Sequence, residues 1–116
     1  MKYEQMLYVN RHEAEAIENA IKSASIGEVE ACYAVHYPKT DERPYDVTMR
    51  ITAVKAPDQN VEITALVYST DRDERYTPFM GEKTFTTGSI YNRMITVDAT
   101  EHNEGDRYEA ILAIKD

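Results

Sequence analysis

The segment "VTMRITAVKAPDQNVEITALV", residues Val47–Val67, has the clearest secondary-structure pattern in the sequence. In each half, apolar and polar residues alternate, which is the period of a strand with one buried face and one wet face. The middle, Lys55–Asn60, is rich in residues that favour turns. The stretch therefore predicts an antiparallel hairpin of two strands, Val47–Ala53 and Val61–Val67.

A helix is predicted ahead of this hairpin, from a cap at Asn10 to about Ser23 or Ala24. The Asn10 side chain can accept hydrogen bonds from the amides of the first turn, and Glu13 follows at the spacing of a capping box. The apolar residues recur at the spacing of one helical face, which we expect to pack on the sheet. They are Ala14, Ile17 and Ile21.

The remaining segments with strand-like alternation complete a predicted α+β fold. One N-terminal helix packs on a mainly antiparallel β-sheet, in the order βαβββββ, within a single domain of residues 1–116. Because one helix covers only part of such a sheet, we expect the sheet either to curl towards a two-layer or barrel-like form or to pair in a homodimer. The strands are Glu4–Val9, Val29–Tyr37, the two strands of the hairpin, Ile90–Ala99 and Arg107–Lys115, with Lys83–Thr87 open as a further short strand.

Charge and composition limit the classes of partner. The 116 residues include 21 acids and 13 bases, a net charge of −8, which disfavours direct binding to nucleic acids and anionic membranes and favours a protein partner with a basic surface. The single cysteine, Cys32, permits no intramolecular disulfide, and no apolar run is long enough to cross a bilayer. We therefore expect a cytoplasmic protein.

No motif for catalysis or metal binding is complete. A zinc helix needs a second histidine four residues after His12, and that position is Ala16. A phosphate loop needs glycine directly before lysine, and Glu82 stands there. Cys32 and His36 would lie about 13 Å apart on one strand, too far to share a metal. We expect no cofactor, metal or catalytic residue, and we expect Cys32 to be a small buried apolar residue.

Two acidic loops are the predicted partner-binding residues. The first contributes Asp71, Asp73 and Glu74, and the second contributes Glu101, Glu104 and Asp106, within a wider cluster that includes His102. A weak metal site at His102 is the less favoured interpretation, because a flexible turn lacks fixed ligand geometry.

Tyrosine is the dominant aromatic residue, with nine Tyr, two Phe and no Trp. Because Tyr combines apolar area with a polar tip, Tyr91 and Tyr108 are predicted as the aromatic anchors of the partner surface. The alternative is that these rings belong to the core or cover a sheet edge, and the strand preference of aromatic residues favours it.

Two functional hypotheses follow. The first is a non-enzymatic interaction protein. The small size, acidity and absence of motifs are typical of accessory proteins of phages and mobile elements, some of which, such as anti-CRISPR proteins, mask nucleic-acid-binding surfaces of host defence systems. This is an analogy of composition and size alone. The second is a small-ligand-binding or enzymatic domain, with a pocket between the helix and the sheet.

Overall fold

The computed structural model describes residues 1–70, 79–101 and 104–116. Its elements follow the predicted order of strand, helix and strands, and the α+β class with mainly antiparallel pairing is confirmed. They are β1 (Lys2–Asn10), α1 (Arg11–Ser23), β2 (Glu30–Tyr37), β3 (Val47–Lys55), β4 (Val61–Ser69), β5 (Phe79–Thr87), β6 (Met94–Asp98) and β7 (Arg107–Lys115).

The strands form two sheets rather than one. Strands β2, β3, β4 and β5 make an antiparallel four-stranded sheet in chain order, which contains the predicted hairpin. A three-stranded sheet has the order β1-β7-β6, in which β1 runs parallel to β7 and β6 antiparallel to it. Among the described residues no strand pairing joins the two sheets. The strands therefore do not form a closed barrel there, and the arrangement is the predicted two-layer form.

The inward faces of both sheets share one hydrophobic core. In β3 and β4 every second residue is buried, as the alternation in the sequence predicts. Glycine is needed at a close approach between the two sheets, because a Cβ at Gly81 would lie 2.5 Å from the carbonyl oxygen of Asp98. A side chain there would therefore push β5 away from β6.

Helix α1 covers one end of the two-sheet core. It begins directly after β1, where the Asn10 side chain accepts hydrogen bonds from the amides of His12 and Glu13, as the capping prediction requires. The predicted apolar stripe is confirmed, since Ala14 and Ile21 are buried and Ile17 packs against the core at partial exposure. Lys55 holds the end of the helix by donating to the carbonyl oxygen of Lys22. No helix in the described part of the chain is long and apolar enough to span a membrane.

Strands β5 and β6 differ most from the prediction. The segment predicted as a short strand at Lys83–Thr87 belongs to the nine-residue strand β5. Strand β6 begins at Met94 rather than Ile90, because Asn92 adopts a left-handed backbone with φ of 57° and donates its amide to the carbonyl oxygen of Leu112. That turn ends the extended conformation before the strand starts.

Candidate interaction surface

The outward face of the three-stranded sheet exposes large apolar side chains. Met6, Tyr8 and Met94 are 50%, 58% and 56% exposed. The register places Met6 and Met94 on either side of Ile111, so the three form one row across the sheet, about 10 Å wide at the usual strand spacing. We call this surface the methionine face, defined by Lys2, Glu4, Met6, Tyr8, Met94, Thr96, Asp98, Arg107, Glu109, Ile111 and Ala113.

The path of the chain explains why this face is uncovered. Because α1 turns over the end of the core immediately after Asn10, its apolar side is used there and α1 does not lie on the methionine face. The helix is held in that place by Glu18, whose carboxylate accepts hydrogen bonds from Ser89 Oγ at 2.9 Å and from the amide of Ile90 at 3.3 Å. Strand β7 has apolar residues on both faces, and α1 and the core cover the inward face, where Ala110 and Leu112 are buried.

Charged side chains border the apolar row. The Lys2 ammonium lies 3.1 Å from Glu4 Oε1 and 3.3 Å from Glu109 Oε2. The close contact with Glu4, followed by that with Glu109, raises the pKa of Lys2, while the contact with Lys2 lowers the pKa of Glu4. Arg107 Nε lies 2.9 Å from Asp98 Oδ1 in the outermost row of the face.

Glu109 is a buried carboxylate on this face, with 5% of its surface exposed. Its Oε2 atom has no hydrogen-bond partner among the described residues, although Lys2 Nζ lies within ion-pair distance. We take the contact as electrostatic only, because the atoms are close but not aligned for a directed bond. Glu109 is one of the residues that line a depression of about 270 Å³, together with Glu4, Gln5, Met6, Met94 and Ile111.

The described residues beside the two predicted acidic loops lie at one end of the molecule. Asp71, Asp73 and Glu74 fall outside the described residues, as does His102. The start of β5, just after the first loop, contacts the start of the second, because the amides of Thr100 and Glu101 donate to the carbonyl oxygen of Met80 at 2.7 and 3.3 Å. The second loop also joins β6 to β7, so it borders the methionine face.

The acidic residues of the second loop differ in exposure and in pairing. Glu101 and Glu104 are exposed, and their role in binding stays a prediction. Asp106 is 9% exposed and forms an ion pair with the N-terminal ammonium of Met1 at 3.1 Å. Its charge is thus neutralised within the chain, and Glu101 and Glu104 are the exposed carboxylates among the described residues of this loop.

The prediction of Tyr91 and Tyr108 as exposed anchors is wrong, because both rings lie in the core at 4% and 0% exposure. The hydroxyl of Tyr91 is 2.5 Å from that of Tyr33. Tyr108 stacks on Tyr3 with ring centroids 5.2 Å apart, and burial raises its pKa to about 12. The alternative interpretation, in which these tyrosines are core residues, is the one that the burial supports.

A buried arginine that the sequence analysis missed closes the end of the core opposite α1. Arg43 is 0% exposed and lies over the rings of Tyr3 and Tyr108, at 4.3 and 5.5 Å. Its guanidinium donates to the carbonyl oxygens of Tyr37 and Pro38, as well as that of Tyr45. Nothing in the sequence of this polar loop distinguishes Arg43 from an exposed arginine, because its partners are distant rings and backbone oxygens.

The groove between α1 and β2 is the place that the ligand-binding hypothesis predicts. It is open and mainly apolar, about 260 Å³ in volume, and is lined by Ala16, Ile17, Ala20, Val29, Glu30, Ala31, Cys32 and Tyr33. The Tyr33 hydroxyl is already bonded to Tyr91. Cys32 is exposed rather than buried as predicted, because it lies on the outward face of β2, where Arg50 Nε donates to its sulfur at 3.4 Å.

Catalysis and specific ligand binding need several polar groups that point to one place, and the described residues that line this groove do not provide them. Nowhere in residues 1–70, 79–101 and 104–116 do three His, Cys, Asp or Glu side chains form a group that could hold a metal ion. A comparison with protein-family models, with curated proteins and with solved structures gave no match. The geometry of the chain's own surface therefore carries the functional argument.

Proposed function

We propose that this chain is a non-enzymatic interaction protein that binds a protein partner with a basic surface through the methionine face. The observation that supports this function is the exposed row of Met6, Ile111 and Met94 beside the carboxylates of Glu4 and Glu109. Large apolar side chains at the centre of a surface, with charges at its border, are typical of protein interfaces.

The two components have separate roles in binding. The net charge of −8 attracts a basic partner from a distance and chiefly accelerates encounter. The apolar row excludes water once the partner has docked and chiefly slows dissociation. Methionine suits this role, since its unbranched, polarisable side chain adapts to irregular surfaces.

The more specific proposal is that the chain is an accessory protein of a phage or mobile element, and that it inhibits a nucleic-acid-binding host defence partner in the manner of anti-CRISPR proteins. Acidity and small size support it, because an acidic surface competes with phosphates for the same lysines and arginines. Exposed Glu101 and Glu104 extend the negative charge beyond the methionine face.

The test is inhibition of purified RNA-guided nucleases, taken from several classes, in a DNA-cleavage assay. We expect the chain to block cleavage by one class, and Met94→Lys to lose this activity, because a charge in the apolar row cannot be desolvated. Thr84→Lys is the matched control, since Thr84 is also exposed on an edge strand but belongs to the other sheet. Failure against every class would overturn the inhibitor proposal.

Two further measurements identify the surface. Association should slow between low and physiological salt, where the screening length falls to about 8 Å. Equal loss of inhibition in Met94→Lys and Thr84→Lys would contradict the assignment to the methionine face. The predicted homodimer would use the same face and would compete with the partner, so self-association is measured alongside.

A further inference from the structure

From the surroundings of Glu109 we infer that the methionine face contains a subsite for one arginine side chain of the partner, held between Glu4 and Glu109. The inference rests on the proposed function and specifies which group of the basic partner is recognised. It starts from a carboxylate that is 5% exposed and whose Oε2 atom has no hydrogen-bond partner among the described residues. A buried acceptor left in this state is costly, so a donor that reaches it gains more than one that reaches an exposed carboxylate.

Lys2 shows that a single cation fits between these two carboxylates. Its ammonium contacts Glu4 Oε1 at 3.1 Å and Glu109 Oε2 at 3.3 Å, while its side chain stays 56% exposed. An exposed lysine exchanges readily with water, and its position leaves the buried oxygen without a directed hydrogen bond. Lys2 therefore occupies the place of a cation without satisfying the site, and an incoming cation can displace it.

Arginine suits the site better than lysine does. Its planar guanidinium carries five N–H donors, so it can bond both carboxylates at once, and it is more weakly hydrated than an ammonium. The floor of the depression is apolar, formed by Met6, Met94 and Ile111. The aliphatic stem and the flat face of a guanidinium can pack on such a floor while the N–H groups reach the carboxylates.

The test uses a capped tripeptide, acetyl-Leu-Arg-Leu-amide, titrated into the isotopically labelled full chain and followed by NMR. A second peptide replaces arginine by citrulline, which has nearly the same shape and no charge. We expect the arginine peptide to shift the amide signals of Glu4, Glu109 and Ile111. The citrulline peptide should bind at least about tenfold more weakly, since it loses charge-assisted hydrogen bonds. Equal binding of the two peptides, or shifts confined to other surfaces, would overturn the subsite.

Variants separate recognition from a structural role. Glu109→Gln and Glu4→Gln should each weaken the arginine peptide, and the exposed position of Glu4 keeps the test valid if Glu109→Gln unfolds. Lys2→Met should tighten binding, because it removes the competing internal cation, and a purely structural role for Lys2 would not produce this gain. Weaker binding in Lys2→Met would overturn the inference. Glu62→Gln, on the other sheet, is the control and should bind normally.

Failure of the arginine subsite can be distinguished from failure of the proposed function. If the arginine peptide fails to bind while Met94→Lys still abolishes nuclease inhibition, the subsite is wrong and the proposed function stands. If the peptide binds as expected while no nuclease is inhibited, the arginine subsite stands and the inhibitor proposal is wrong.

Discussion

The outward faces of the two sheets are built on the same backbone pattern and differ in what they present to solvent. On the four-stranded sheet, one row across all four strands is small or polar, namely Cys32, Thr52, Thr64 and Thr84. We call the outward surface of this sheet the threonine face, defined by Cys32, Ala34, His36, Thr48, Arg50, Thr52, Val54, Glu62, Thr64, Leu66, Tyr68, Glu82, Thr84 and Thr86. The equivalent row of the methionine face is Met6, Ile111 and Met94.

This difference indicates which of the two faces is suited to binding a partner as well as to forming the fold. Small β-branched hydroxyl residues meet the needs of a wet strand face, and Thr64 Oγ1 lies 3.2 Å from Thr84 Oγ1 across the strands. Leu66, in the middle of the threonine face, is half-buried, and the exposed ring of Phe79 lies only at its corner. Exposed methionines in a row across a sheet add little stability to the folded monomer, so their presence favours an interface.

The largest expected effect on stability concerns the two sides of β7, which differ in exposure and should differ in their contribution to the unfolding free energy. Leu112→Ala should cost about 2–5 kcal/mol of unfolding free energy, because Leu112 is 0% exposed and its removal leaves a cavity. Ile111→Ala, one residue away on the methionine face, should cost only about 1 kcal/mol because it is half-buried. Urea unfolding measures both. Equal losses would mean that Ile111 is a core residue and that the methionine face is not a free surface.

The next prediction concerns the seam where the two sheets meet. Gly81→Ala should cost about 1–3 kcal/mol, since its Cβ would lie 2.5 Å from the backbone oxygen of Asp98 and would force β5 and β6 apart. Gly88→Ala is the matched control, because nothing lies within 4 Å of a Cβ at that position. The measurement is the shift in urea midpoint of each variant. A neutral Gly81→Ala would show that the two sheets are held less closely than the structure indicates.

Alkaline pH should weaken the core between the two faces. Burial raises the pKa of Tyr108, beneath the methionine face, to about 12, and it also raises the pKa of Tyr37, beneath the threonine face. These phenols ionise near pH 10 when unfolded. The folded form holds the proton more tightly, so stability is full below pH 10 and falls as the pH rises towards 12.

The loss should reach about 1.4 kcal/mol per pH unit for each such phenol. Urea midpoints at about pH 8 and about pH 11 measure it. Tyr108→Phe should reduce the dependence on pH, because phenylalanine has no proton to lose. A midpoint that stays constant over this range would contradict the burial of these rings.

The smallest effect on stability is expected on the two outward faces themselves. Met94→Lys and Thr84→Lys should each change the unfolding free energy by no more than about 0.5 kcal/mol, because both positions are exposed on edge strands. If the chain forms the predicted homodimer through the methionine face, light scattering should detect dissociation in Met94→Lys only. A dimer that persists in Met94→Lys and dissociates in Thr84→Lys would reverse the comparison between the faces.

The sequence alone was enough to predict the elements that local interactions stabilise. Alternation over Val47–Val67 encodes the hairpin, because a strand repeats every two residues. The cap at Asn10 and the stripe of Ala14 and Ile21 encode the helix, because its contacts recur within a few residues. Apolar residues also occur on both faces of Ala110–Ile114, a pattern that predicts cover on two sides of β7.

The open side of β7 and the residues that meet there follow from the three-dimensional arrangement of the strands, which the sequence pattern does not reveal. Met6, Ile111 and Met94 come from three different strands, and the registers of β1 and β6 with β7 bring them into one row. Asp106 and Glu109 look alike in the sequence, yet one pairs with the N-terminal ammonium and the other is buried below Lys2. Contacts between distant segments leave no period in the chain, so alternation that predicts a strand cannot predict its neighbour across the sheet.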